Sequence, residues 1–228
     1  MSAGERQQVM YDFYDIKEFP LGLGAVDGTL IPIKAPSVDE HLYGCRKGYH
    51  ALNIQCVYNA KKKQFLNVVA RWPGSIHDAY IWNNCNLSLA FESGQIHNVW
   101  LLGDSAYWLK PWLLTPVLSP STAKERKYNT AHTSTRSVIE RTHGIWRIRF
   151  HCLYRALTLS PIRNLNVVLA TAGLHNKCID RRIPLPTEDF EIDERLGDDG
   201  QHEGQQRDSN QGRRETGRRR PTRGTAER

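Results

Sequence analysis

The chain has 228 residues, 39% of them hydrophobic and 24% charged, with a formal net charge of +7 and a pI near 9.2. That length and apolar content can bury a proper core, while no apolar run reaches membrane-spanning length, so no membrane role is expected. Five cysteines (Cys45, Cys56, Cys85, Cys152 and Cys178), an odd number with no Cys-x-x-Cys pair, argue against a disulfide framework or a zinc ribbon and for a soluble intracellular protein.

Residues 1–19 read as a lead-in without the apolar core of a signal peptide. From Ala25 to Ile33 the residues favour a strand, although Pro32 removes one ladder donor and marks an edge, a bulge or an early stop. Leu52 to Tyr58 begins with the apolar/polar alternation of a half-buried strand, Asn59 to Lys63 is a turn, and Gln64 to Arg71 returns as its partner, which makes a hairpin. Trp72-Pro73-Gly74-Ser75 breaks that strand. A helix then starts near His77, with Ser75 or Asp78 as its N-cap.

Val99 to Leu102 is a short, wholly apolar run of the kind expected for a strand buried on both faces. Pro111, Pro116 and Pro120 make residues 111–129 an irregular connection, after which helices are predicted over 134–150 and 165–178. A hairpin added to one strand, then a helix and a further strand, predicts an α/β mixed sheet flanked by helices. At Glu188 the composition changes: acids dominate, then Gln, Gly and Arg run to the end with almost nothing apolar. Such a segment cannot offset the entropy of ordering its backbone, so 20–187 is read as the folded domain and 188–228 as a disordered acidic, then Arg-rich tail. Its arginines suit a polyanion, a nuclear-import receptor or plain solvation.

Three acids stand out by placement. Asp27 closes the run 21–26 and Asp104 closes the run 99–103, whereas surface carboxylates usually fall in polar stretches. Glu140 lies inside a predicted helix. With 24 Asp and Glu in the chain, spacing alone selects no trio; the apolar settings of Asp27 and Asp104 favour a shared site over unrelated surface acids. Mixed sheets collect reactive groups beyond the carboxyl ends of their parallel strands, which is where both aspartates are expected.

Four segments then carry a resemblance: Gly24-Ala25-Val26-Asp27-Gly28-Thr29; Gly74-Ser75-Ile76-His77-Asp78; Gly103-Asp104-Ser105-Ala106-Tyr107 with Pro111-Trp112-Leu113-Leu114-Thr115-Pro116; and Tyr128-Asn129-Thr130-Ala131-His132 with Ile139-Glu140-Arg141-Thr142. In this order they resemble the DDE endonuclease domain of PIF/Harbinger transposases, over most of the foldable chain. The resemblance implies a ribonuclease H-like fold, a divalent metal cofactor (Mg2+ or Mn2+), DNA as substrate and a nuclear setting, with the cytoplasm as a second compartment. By matched position it implies Asp27, Asp104 and Glu140 as catalytic metal ligands and Asp78 as an additional one. The chain departs from the pattern at Ala106, where Gly is common, and at His143, where an aromatic is usual. Full-length family members carry a helix-turn-helix-like DNA-binding region ahead of the nuclease; here the catalytic motif starts soon after Met1, so target selection is expected to fall to a separate DNA-binding partner protein. Oligomerisation is left open.

Hydrolysing a phosphodiester calls for an activated water and for charge stabilisation on the attacking and leaving oxygens, which paired hard cations held by carboxylates supply. Along the helix of Glu140, Arg136 and Arg147 share its stripe and are expected to contact DNA phosphates, against the alternative that Arg136 simply pairs with Glu140 on the helix. His77 and His143 are read as structural, and Asp78 as ligand or N-cap. Two rival functions remain: a Gly-Asp-Ser hydrolase with Ser105 as nucleophile, which misplaces that block along the chain, and a catalytically silent transposase-derived adaptor for DNA or protein.

Overall fold

In the computed structural model, which describes residues 3–17, 21–59 and 61–186, the sheet is built around β1 (Gly22–Pro32). The tail expected to be disordered lies outside the described residues. β2 (Ala51–Asn59) pairs antiparallel with β1, Asp27 opposite Cys56, and β3 (Gln64–Pro73) completes the hairpin predicted from the sequence. β4 (Trp100–Leu102) adds to the other side of β1 in parallel register, Ala25 beside Leu102, and β5 (Leu113–Leu114) follows β4, also in parallel. The order β3-β2-β1-β4-β5 gives a mixed five-stranded sheet flanked by helices, a ribonuclease H-like α/β arrangement.

Residues alternate between the two faces of a strand, and each face has its own core. On one side Ala25, Ile31, Ile54 and Tyr58 pack with Trp146 of α5 (Ala123–Arg149) and Val168 of α6 (Pro161–Asp180). On the other, Val26, Val57 and Leu101 pack with Trp82 of α3 (Asp78–Asn83) and Phe91 of α4 (Asn86–Glu92). Fully burying one such large side chain stabilises the fold by roughly 1.5–3 kcal/mol. α1 (Ala3–Lys17), in the segment read as a lead-in, places Phe13 in the first core and Val9 in the second.

Three features differ from the sequence reading. All nine residues of β2 are buried, because helices cover both faces; Asn53 and Gln55, which alternation assigns to solvent, sit at 6% and 1% exposure. α5 begins at Ala123 rather than near Ser134. A capping box starts it: Thr122 Oγ1 accepts from the Glu125 N–H, and the Glu125 carboxylate accepts from the Thr122 N–H at 2.8 Å. Finally, β1 runs on for five residues past Asp27, so this acid lies mid-strand rather than at a strand end. Among the described residues no helix is long and apolar enough to cross a membrane.

Candidate active site

β1 and β4 run side by side in the same direction, and they set two acids next to each other. Asp27 projects from β1 on the face that α5 covers, since it shares that face with Ala25 and Ile31. Asp104 follows directly on the end of β4, half-buried, in a turn where its Oδ1 accepts the Ala106 N–H at 2.9 Å. Asp27 is 9% exposed. Burial pushes its carboxyl up to about 7, the Arg136 guanidinium opposes the rise, and the charges of Asp104 and Asp78 add to it. The charge of Asp104 therefore reaches Asp27.

Arg136 approaches from α5. Its Nη2 lies 3.5 Å from Asp27 Oδ1, with the two side chains 20% and 13% exposed. Glu140, one helical turn further along, is exposed. It lies beside a stripe that buries Ile139, Thr142, His143 and Trp146, and this is why its side chain faces outward. Among the described residues no three His, Cys, Asp or Glu side chains form a ready metal cage.

Asp78 reaches the site from the opposite face of the sheet. It stands in the first turn of α3 and caps nothing, the N-cap being His77. Its Oδ1 accepts the Asn53 amide at 2.8 Å, and the same amide nitrogen donates to Ile76 O at 2.8 Å. A Cβ on Gly28 would meet Asp78 Oδ1 at 2.3 Å, so the carboxylate lies directly on the glycine of the Asp27-Gly28 pair. Burial raises the pKa of Asp78; the Asn53 hydrogen bond lowers it, Asp104 raises it and Arg46 lowers it.

The remaining predicted contact falls elsewhere. Arg147 is 3% exposed, and its Nη2 donates to Thr29 Oγ1 at 2.7 Å and to Leu30 O at 3.1 Å, clamping α5 onto β1. As placed, it faces the strand and not solvent. His143, at 2% exposure, stacks edge-on against Tyr58 at 5.1 Å, in keeping with its structural reading.

Two supporting residues were given no role in the sequence reading, although His132 stands in the segment Tyr128–His132 that carries the resemblance. Asn53 orients Asp78; its only signal was a polar residue in a strand otherwise rich in apolar ones. His132, fully buried, has Nε2 3.1 Å from Leu114 O, so that nitrogen carries the proton, and burial lowers its pKa. It ties α5 to β5, next to the strand that delivers Asp104.

A family model described as DDE superfamily endonuclease matches residues 26–176, which include every acid discussed above. The chain belongs to this family. It is 40% identical over 173 residues to the Rattus norvegicus protein named Putative nuclease HARBI1, covering 75% of this chain and 49% of the relative. The Homo sapiens protein of that name is 39% identical over 173 residues, with the same 75% and 49% coverage. An Arabidopsis thaliana protein named Protein ALP1-like is 25% identical over 195 residues, covering 76% of this chain and 47% of that protein. The chain thus spans about half the length of these curated relatives. No solved structure matches it.

DDE superfamily endonucleases are in general dependent on divalent metal. The donor chemistry here fits a hard cation: Asp27 and Asp104 offer carboxylate oxygens, and Asp27 is buried at a pKa that an added positive charge would bring down. Arg136 supplies part of that charge from within the chain.

Proposed function

We propose that the chain is a transposase-derived, divalent-metal-dependent endonuclease that hydrolyses DNA phosphodiester bonds by a two-metal mechanism. The observation that carries this reading is the juxtaposition of Asp27, on β1, and Asp104, just past the end of the neighbouring parallel strand β4, within a DDE endonuclease domain. Asp27, Asp104 and Glu140 are assigned as the catalytic ligands of Mg2+ or Mn2+, with Asp78 as an additional ligand. Cations bound there would stabilise charge on the attacking and leaving oxygens and make a bound water more acidic.

The protein's own groups do the rest. Burial excludes bulk water from Asp27, and the Asn53 hydrogen bond fixes the Asp78 carboxylate. Neutral His132 and the Arg147 clamp hold α5, and with it Arg136 and Glu140, in register with the sheet. Arg136 is the phosphate contact retained from the sequence reading. The proposal extends to a nuclear location, to 20–187 as the nuclease domain and to a separate DNA-binding protein that selects the target.

Cleavage of plasmid and oligonucleotide DNA with Mg2+ and with Mn2+, beside Glu140→Gln and Asp104→Asn, tests the reading. Wild type is expected to cut and both variants to fail, with Asp104→Asn also losing the rise in melting temperature that Mg2+ gives wild type. A second reading, a silent adaptor for DNA or protein, is favoured by the outward-facing Glu140 and by the Arg136 charge already set against Asp27. It wins if neither cleavage nor a metal-dependent melting shift is seen.

A further inference from the structure

Between α2 (Glu40–Tyr43) and β2 the chain makes a tight reversal. The Cys45 N–H donates to Tyr49 O at 2.9 Å, the Gly48 N–H donates to Cys45 O at 3.0 Å, and Gly44 bridges His50 in antiparallel register. Gly48 closes it at φ +81°, a region that favours a residue without Cβ. Arg46 and Lys47 stand at the tip, Arg46 exposed and Lys47 half-buried.

The tip is anchored. At its base the Ile33 N–H donates to His50 O at 2.9 Å, tying it to the end of β1. On its flank the Ser75 N–H donates to Leu42 O at 3.2 Å and the Gly74 N–H to Ala51 O at 2.8 Å. Residues 74–76 lead straight into Asp78, and the Ile76 carbonyl shares the Asn53 amide with it. One hydrogen-bonded frame therefore holds the basic turn and the acid site together, and Arg46 lies close enough to Asp78 for its charge to act on that carboxylate.

A site of clustered carboxylates repels a polyanionic backbone, so its rim must carry fixed positive charge if the backbone is to approach. Arg147 cannot provide it, because it is engaged inside the fold, and Arg136 shares its charge with Asp27, so a backbone reaching past Arg136 needs a further cation at the rim. Arg46 is charged, exposed and held in place by backbone hydrogen bonds on both sides. We propose that the Arg46–Lys47 turn is a grip for the DNA phosphate backbone at the rim of the acid site, engaging the strand beside the bond to be cut. The grip rests on the nuclease reading and gives its substrate a landing point.

The test is binding of the full chain to a short DNA duplex of arbitrary sequence, with Ca2+ in place of Mg2+, measured across a salt series. Removing one charge that neutralises a phosphate should lower the slope of log affinity against log salt by about 0.9. Arg46→Gln should show that drop, while Arg46→Lys keeps the slope. Lys62→Gln makes the same charge change at the opposite end of β2 and should leave binding as it is. An unchanged slope for Arg46→Gln overturns the grip, and so does an equal drop in Lys62→Gln, which would reduce the effect to net charge. If wild type cleaves DNA in Mg2+ and the slopes do not move, the grip alone fails. If wild type neither binds nor cleaves, the nuclease reading fails and takes the grip with it.

Discussion

Arg136 closes on Asp27 at 3.5 Å, so the buried acid faces a cation that belongs to the protein itself. The contact is long for an ion pair, and the Arg136 Nε is buried without a partner among the described residues. A guanidinium held this loosely can be exchanged for another positive charge. Arg136→Gln is expected to cost about 1–3 kcal/mol of stability at pH 8, where Asp27 is ionised, and little at pH 5, where it is not. Urea unfolding at the two pH values checks this. Titration with Mn2+ should show tighter cation binding in the variant, since Arg136 no longer competes for Asp27.

Asp27 also sets a pH dependence whose sign is fixed. Its carboxyl is raised from 3.8 to about 7 in the fold, so the folded state prefers it neutral. No penalty exists below about pH 4, the penalty grows as pH rises, and it levels off above about pH 7. Full development would cost roughly 4 kcal/mol by linkage, with the opposing Arg136 charge already included in the shifted value. Asp27→Asn should therefore match wild type near pH 4 and exceed it at pH 8 in the absence of divalent metal. Melting temperatures of both proteins over pH 4–8 give the comparison.

Gly28 leaves room for Asp78 and for nothing else. Gly28→Ala places a methyl 2.3 Å from the Asp78 carboxylate and should cost about 1–3 kcal/mol as that group and its Asn53 bond are pushed aside. Adding Asp78→Ala should recover part of that cost. A double-mutant cycle by chemical denaturation that finds simple additivity would show that the two do not meet.

Arg147→Met removes the clamp between α5 and β1. Deleting its bonds to Thr29 and Leu30 from a buried position should destabilise the protein by about 2–4 kcal/mol. The salt slope of DNA binding should stay where it is. A fall in that slope with stability preserved would restore Arg147 to the surface role first read from the sequence.

The hairpin was legible because both of its strands are runs of strand-forming residues separated by a polar turn, and β4 because a short run of purely apolar residues fits a strand covered on both sides. α1 was not: its polar and apolar residues follow no helical stripe, and two well-placed side chains, Val9 and Phe13, hold it. The start of α5 was hidden by the prolines before it, although the Thr122–Glu125 capping box was there to be read. At the site, apolar context singled out Asp27 and Asp104, because a charge beside an apolar run is unusual on its own, and the parallel pairing of β1 with β4 accounts for their placement. Helical spacing treated Arg136, Glu140 and Arg147 as one stripe, yet they meet three environments: a counter-charge, solvent and the core. Spacing gives angle around a helix, and what lies opposite depends on the partner strand.

The position of β1 between an antiparallel and a parallel neighbour also bears on how the chain folds. The meander of β1, β2 and β3 can zip up from contiguous segments, whereas β4 must return to β1 across the entire hairpin, α3 and α4, a slow loop closure. Asp104 is thus expected to join Asp27 after the meander has formed. A nascent or partly unfolded chain can own the meander and still lack the paired acids.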